Sequence, residues 1–130
     1  MKAKKGKKIK TAIRRQIRRA KKQDREIDFN VSDWDYAIDW FANKCAYCDT
    51  DMENNATIEH IYPSSKGGGL TYDNIIPACN ACNEEKGNKT LLEYAESQHE
   101  KFKRGRNMYI SRYISEARMR RNDEIEMERY

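Results

Sequence analysis

Four cysteines and one histidine near the middle of the chain are the side chains best suited to chemistry. The cysteines form two Cys-x-x-Cys pairs, Cys45/Cys48 and Cys79/Cys82, with His60 between them. A pair of this spacing brings two thiolates onto one ion, and two pairs complete the tetrahedron that Zn²⁺ prefers. The spacing therefore predicts a structural zinc site. Two disulfides and free buried thiols are the alternatives.

A carboxylate and two amide side chains accompany the histidine. Glu59 directly precedes His60, Asn74 follows in the same segment, and Asn83 comes directly after the last cysteine. A lone histidine is more often a packing or capping residue. Four such residues in register with two cysteine pairs are hard to explain by packing alone, and they indicate a functional site.

At these positions, over about residues 44–88, the chain resembles the HNH endonucleases, the ββα-metal nuclease family. The matching residues are Glu59-His60-Ile61, Pro63, Ser65-Lys66-Gly67-Gly68, Asp73-Asn74-Ile75-Ile76, Cys79 to Cys82, Asn83 and Lys86. The resemblance implies an α+β fold in which a strand, a loop, a second strand and a helix form a finger. It also implies a structural zinc separate from the catalytic ion. Hydrophobic periodicity, rather than the resemblance, predicts the N-terminal and C-terminal helices that flank the finger.

The resemblance implies a role for each site residue in hydrolysing DNA to a 5′-phosphate and a 3′-hydroxyl. His60 would be the general base, with its second ring nitrogen held by a partner. Asn74 would hold the loop and the imidazole in place. Glu59, where the family usually has Asp, and Asn83 would supply oxygens to one catalytic Mg²⁺ or Mn²⁺. Lys86 would contact a phosphate or complete the end of its helix.

Other functions stay open at this point. The order of cysteines, acid, histidine and asparagine is also similar to the endonuclease VII type of phage Holliday-junction resolvase, which implies branched DNA as a substrate and a homodimer built by the C-terminal helices. A non-catalytic zinc-stapled module that binds nucleic acid, or a zinc-stapled domain that is purely structural, would need the cysteines but not the other four residues.

Charge divides the 130-residue chain, whose net charge is +5, into a basic arm and an acidic body. Residues 1–22 carry twelve Lys and Arg and no acid, whereas the remaining residues carry 14 bases and 21 acids. Such an arm is typical of nucleic-acid binding, and a solubilising tail is the alternative. The residues predicted to contact DNA are Arg14, Arg15, Arg18, Arg19, Lys66 and Lys86.

Three segments are expected: an arm over residues 1–31, a nuclease core over 32–90 and a helical extension over 91–130. In the arm, residues 2–8 are expected to be disordered, and the spacing of Ile9, Ile13 and Ile17 predicts a basic helix over about 8–23. In the core, Ser32 is the expected N-cap of a helix with one apolar face, formed by Trp34, Ala37, Ile38 and Phe41.

The core continues with predicted strands over 56–61 and 74–78, separated by a glycine-rich loop, and with a helix from Asn80 that ends near Gly87. Thr90 and Glu93 form a capping box for a helix that extends to Phe102. His99 is expected to be an exposed residue of this helix. The last helix places one face inward or against a second copy, and this face consists of Tyr109, Ile110, Tyr113, Ile114 and Ala117.

Hydropathy and cysteine usage indicate where the chain works. No apolar run is long enough to span a bilayer, and no apolar segment follows the basic N-terminus. These features predict neither a transmembrane helix nor a signal peptide. Metal-binding thiolates fit the reducing cytoplasm of a bacterium or a phage-infected cell.

Overall fold

The computed structural model describes residues 2–97 and 102–128, with the side chains of residues 8–97 and 102–128. The predicted α+β class is confirmed. The elements, in chain order, are α1 (Lys2–Lys22), β1 (Ile27–Asp28), α2 (Val31–Trp40), β2 (Thr57–His60), a short 3-10 helix (Ser64–Lys66), β3 (Leu70–Thr71), β4 (Ile75–Ala78), α3 (Asn80–Lys86), α4 (Leu91–Glu96) and α5 (Arg106–Glu128). The expectation for His99 lies outside the described residues.

An antiparallel hairpin of β2 and β4 lies at the centre of the fold. Its register pairs Glu59 with Ile76 and His60 with Ile75. Residues directly opposite each other in an antiparallel pair share a face, and neighbours along a strand face opposite sides. Ile75 and Ile76 are both fully buried, so the hairpin is covered on both faces.

The face of the hairpin that carries Ile76 packs on the larger hydrophobic cluster, here called the cysteine-side core. It joins the cysteine turns to α2, α4 and α5. Aromatic rings dominate it, and Phe41 lies 5.0 Å from Tyr113 between ring centroids. Its buried members are Ala37, Phe41, Cys45, Ala46, Tyr47, Met52, Ile61, Ile76, Ala78, Cys82, Tyr94, Ile110, Tyr113 and Ala117.

The opposite face, which carries Ile75, packs on a smaller cluster, here called the α1-side core. Its buried members are Ile13, Ala20, Phe29, Trp34, Leu70 and Ile75. The apolar stripe of α1 therefore docks on the body of the protein. A parallel pairing of β1 with β3 brings the chain after α1 against the hairpin loop. This two-residue strand pair was not predicted, because two residues carry no periodic signal.

Two expectations about helix ends at the N-terminal side were wrong. Helix α1 begins at Lys2 and includes the residues expected to be disordered. Helix α2 is capped by Asn30 rather than Ser32, and Asn30 forms a capping box with Asp33. This start places Asp33 where it also pairs with Arg121 of α5 at 3.0 Å, and that tertiary contact is invisible in the local sequence.

The C-terminal helices differ from the expectation in length. The capping box of Thr90 is present, but α4 ends at Glu96 and Phe102 lies beyond it. Phe102 still packs on Tyr94, with 4.8 Å between ring centroids. In α5, Ile110, Tyr113 and Ala117 are buried against the same chain, whereas Tyr109 is 37% exposed. Association of two copies stays a prediction.

Within the described residues, no helix is both long enough and apolar enough to cross a membrane.

The burial of α5 predicts that this helix is part of the folding unit. Ile110→Ala removes a side chain that is fully buried in the cysteine-side core, and such truncations cost about 2–5 kcal/mol of unfolding free energy. Met119→Ala, on the same helix at 64% exposure, is the matched control and should change stability by less than about 0.5 kcal/mol. Urea unfolding followed by circular dichroism measures both. Equal values for the two variants would mean that α5 is not packed as described.

Candidate active site

The four cysteine sulfurs form one compact cluster. All four Sγ atoms lie within 4.8 Å of one another, and Cys48 Sγ is 3.8 Å from Cys79 Sγ. Zn–S bonds of about 2.3 Å in a tetrahedron place sulfurs about 3.8 Å apart, so the spacing suits a metal such as zinc. The sulfurs are too far apart to be bonded in pairs, so the disulfide alternative does not describe this structure.

Local hydrogen bonding prepares the cluster for a cation. Cys79 caps the N-terminus of α3, where its sulfur accepts a hydrogen bond from the Cys82 backbone N–H at 3.4 Å. A hydrogen bond from the Cys82 thiol lowers the pKa of Cys45 to about 5, and the same contact raises the pKa of Cys82. The sulfurs thus share protons that a bound metal ion would displace.

A cleft of about 220 Å³ lies at the end of β2, and Glu59, His60 and Asn83 all line it. Glu59 and His60 point to opposite faces of the strand, which would separate them in the middle of a sheet. Because β2 ends at His60, the cleft wraps around the strand end and reaches both side chains. The structure therefore brings three of the four predicted site residues into one cavity.

Glu59 is held beneath the cleft by two side chains. Its Oε2 accepts a hydrogen bond from the Tyr47 hydroxyl at 2.7 Å, and Lys86 Nζ lies 3.5 Å away. Burial raises the pKa of Glu59, while Lys86 and Tyr47 act in the opposite direction. Both contacts fall on Oε2, so this pair of contacts fixes the carboxylate through one of its two oxygens.

Asn83 is oriented by β2. Its Nδ2 donates to Thr57 Oγ1 at 3.2 Å, and Thr57 Oγ1 donates to the Ala78 carbonyl at 2.8 Å. Since the amide nitrogen is used in this way, the carbonyl oxygen of Asn83 is the ligand atom it can offer to the cleft. Glu59 and Asn83 together provide the oxygen donors that Mg²⁺ and Mn²⁺ prefer.

His60 is neutral in this environment. Burial lowers the pKa of His60 to about 4, assisted by the positive charges of Arg19 and Lys86. A neutral imidazole can accept a proton. Among the described residues, no group forms a hydrogen bond with either ring nitrogen, so the expected partner for the ring is not found. The backbone carbonyl of His60 accepts a hydrogen bond from Lys86 Nζ at 3.1 Å.

Asn74 fastens the loop that follows His60. Its side chain accepts from the Tyr62 N–H at 2.8 Å and donates to the carbonyls of Tyr62 and Gly69 at 3.1 and 2.9 Å. Gly68 packs against the same turn, where a Cβ atom would lie 1.8 Å from the Tyr62 carbonyl oxygen. The geometry gives Asn74 the loop-holding position. It makes no hydrogen bond to the imidazole in this structure.

The predicted DNA-contacting residues fall into different environments. Arg14, Arg15, Arg18 and Arg19 are all exposed on α1. Lys66 is exposed and pairs with Glu93 at 3.1 Å. Lys86 has no exposed surface and supports Glu59 and His60 from below, so the structure does not present it to a phosphate.

Two residues that help form the site were missed in the sequence. Thr57 precedes Glu59 by two positions, and period-two alternation would have placed both on one face of β2. Tyr47 lies inside the first cysteine turn, and nothing in its spacing indicates a contact with Glu59.

A hairpin followed by a helix, with an acid and a histidine at the end of its first strand and an asparagine in the helix, is the strand–strand–helix arrangement that the sequence predicts. Residues 45–98 match the family model described as HNH endonuclease.

Two known proteins are similar in sequence. The "SPbeta prophage-derived putative HNH endonuclease YoqL" of Bacillus subtilis (strain 168) is 26% identical over 115 residues, which cover 78% of this chain and 49% of that protein. The CRISPR-associated endonuclease Cas9 of Corynebacterium diphtheriae is 32% identical over 56 residues, which cover 42% of this chain and 5% of that protein. The chain thus spans about half of the first relative and a small part of the second.

The sulfur cluster predicts one tightly held zinc ion per chain. Cys48→Ser should lose the ion and most of the helical signal in circular dichroism, because a structural zinc contributes about 10–16 kcal/mol of apparent binding free energy to folding. His60→Ala, which lies outside the cluster, is the control and should keep one zinc. Elemental analysis of the purified proteins measures the content. A zinc-free wild type with an intact fold would contradict a structural metal site.

The buried Lys86–Glu59 pair predicts a large stability difference between two lysines. Lys86→Met leaves a buried carboxylate without its partner, which costs about 3–5 kcal/mol. Lys66→Met breaks an exposed pair of the same residue types and should cost less than about 1 kcal/mol. Chemical unfolding at constant zinc content compares the two. Similar small losses of unfolding free energy in the two variants would show that Lys86 does not stabilise the Glu59 carboxylate.

Proposed function

We propose that this chain is a metal-dependent HNH endonuclease that hydrolyses phosphodiester bonds in DNA. The observation that carries the proposal is the meeting of Glu59, His60 and Asn83 in one cleft at the end of β2. A non-catalytic zinc module gives no reason for an acid, a neutral base and an amide oxygen to converge there. The domain family supports the same reading.

In this proposal His60 takes a proton from the attacking water. The lowered pKa keeps the imidazole in the form that accepts a proton at neutral pH. The rigid turn that Asn74 holds against Tyr62 keeps the strand end, and therefore the imidazole, in one position. Hydrolysis leaves a 5′-phosphate and a 3′-hydroxyl.

Glu59 and Asn83 are proposed to hold one Mg²⁺ or Mn²⁺, separate from a zinc ion in the cysteine cluster. When bound, such an ion supplies Lewis-acid stabilisation of charge on the scissile phosphate and the leaving oxygen. Among the protein groups, Tyr47 and Lys86 fix the Glu59 carboxylate, and Thr57 fixes the Asn83 amide. Both donors are thus oriented before substrate arrives.

The proposed substrate is DNA because the exposed arginines of α1 offer positive charge beside the cleft. These groups contact phosphates and carry no sequence information by themselves. The narrower reading as a resolvase of branched DNA stays a prediction, as does a homodimer through α5. Reducing conditions in a bacterial or phage-infected cell would keep the cysteines available for metal.

Substitution of the proposed base tests this function. His60→Ala should lower the rate of nicking or linearisation of supercoiled plasmid by about 10²-fold or more, because a positioned general base contributes about 10²–10⁴-fold. Wild type should cut only with added Mg²⁺ or Mn²⁺ and should be inhibited by excess EDTA at unchanged zinc content.

DNA binding without added metal is the control for this test. The His60→Ala protein should keep zinc, its melting temperature and its affinity for a labelled duplex. If wild type and His60→Ala cut equally, or if both bind DNA and neither cuts it, the catalytic proposal fails and a binding module is the better description.

A further inference from the structure

Helix α1 forms the second wall of the cleft. Gln16, Arg19 and Ala20 of α1 line it together with Gln23, which follows the helix directly. The spacing of three and four residues places the three α1 residues on one helix face. This wall faces His60, whereas α3 on the other side of β2 provides Asn83. The residues of α1 lie outside the 45–98 segment that matches the nuclease family, so the family assigns them no role.

Contacts at both edges of α1 fix this wall in place. Ile13 and Ala20 are each only 5% exposed in the α1-side core. Beyond the helix, Arg25 Nε donates to the Ser64 carbonyl at 2.8 Å, and the Ser64 hydroxyl donates to the Gln23 side chain. Ser64 lies in the turn that follows β2, so these hydrogen bonds connect the end of α1 to the segment next to His60.

Arg19 stands at the boundary between the cleft and a basic surface. Arg15, Arg18, Arg19 and Lys22 line a neighbouring shallow groove, and their spacing again places them on one stripe of α1. Arg19 belongs to both sets of residues. A nucleic-acid backbone that follows the basic stripe would therefore reach the cleft at Arg19.

The arginines of the two long helices are used differently. The described arginines of α5 are paired with carboxylates, as in Arg118 with Asp73 at 3.0 Å and Arg121 with Asp33 at 3.0 Å. The Arg19 guanidinium forms no hydrogen bond or ion pair with any described residue. Its charge is therefore available to a ligand, and its planar fork suits two oxygens of one phosphate.

We infer that Arg19 contacts the non-bridging oxygens of the scissile phosphate and that α1 is an integral wall of the active site. This inference rests on the proposed nuclease function. Arg15, Arg18 and Lys22 then hold phosphates farther along the strand, where they contribute to affinity but not to the rate of the bound complex. Of these residues, only Arg19 contributes both to the affinity for DNA and to the rate of cleavage, because charge develops on the phosphate that it contacts.

Single-turnover cleavage combined with DNA binding separates these roles. Arg19→Ala and the matched control Arg18→Ala each remove one exposed guanidinium from the same helix, and Arg19→Lys keeps the charge without the fork. Binding to a labelled duplex is measured in EDTA at two salt concentrations, and plasmid nicking is measured with protein in saturating excess over DNA, with Mg²⁺ or Mn²⁺.

Both alanine variants should weaken binding to a similar extent, within about threefold of each other, since each loses one phosphate contact. At saturation, the loss of cleavage rate in Arg19→Ala should exceed the loss in Arg18→Ala by about 10²-fold or more. Arg19→Lys should fall between them. Added methylguanidinium should restore part of the cleavage rate of Arg19→Ala. It should not raise the cleavage rate of His60→Ala, which is the inactive control.

Four results would overturn the inference. Cleavage by Arg19→Ala at the wild-type saturated rate would contradict a contact between Arg19 and the reacting phosphate, and so would an equal loss of rate in Arg18→Ala. Loss of helical content or melting temperature in both Arg19 variants would assign Arg19 a structural role instead. A wild type that cuts no DNA with either metal would remove the proposed function, and the inference with it, whereas a cutting wild type with an unimpaired Arg19→Ala would overturn the inference alone.

Discussion

The pairing register of the β2–β4 hairpin is the constraint on which the site depends. Glu59 lies opposite Ile76 and His60 lies opposite Ile75, so the acid and the histidine belong to different faces of the hairpin. Side-chain alternation cannot be avoided within a strand. A site that uses both residues must therefore lie at the strand end and must be closed from two sides. Helix α3 closes one side, and α1 closes the other.

The two flanks are held by different forces. On the Glu59 face, α3 begins at Cys79 and carries Cys82, so the sulfur cluster fixes the start of the helix that presents Asn83. On the His60 face, α1 is held by apolar packing, and the residues that follow it, Gln23 and Arg25, are hydrogen-bonded to Ser64. A small protein with many charged residues can bury little apolar surface. The sulfur cluster supports the flank nearest the proposed metal ligands, where small errors in the positions of the ligand atoms matter most.

Local signals in the sequence were sufficient for the finger and insufficient for its neighbours. Cysteine spacing, alternation in β2 and the glycine after Lys86 depend on residues close together in the chain, and they predicted the hairpin, the helix and the four-sulfur cluster. The stripe of Ile9, Ile13 and Ile17 predicted helix α1 but not its docking on the α1-side core. Lys86 resembled any surface lysine, because its complete burial depends on Glu59, 27 positions away. Contacts of this kind depend on the tertiary structure and leave no local pattern.

Tertiary contacts also decide the effect of having Glu rather than Asp at position 59. The sequence resemblance to HNH endonucleases implies Asp at this position, and a side chain longer by one methylene has more freedom to move its carboxylate. Here that freedom is removed, because Tyr47 and Lys86 both hold Oε2 beneath the cleft. The extra length is used to reach the Tyr47 hydroxyl within the first cysteine turn. The sulfur cluster therefore positions the acid through Tyr47, as it positions the asparagine through α3, and both proposed ligands depend on one anchoring site.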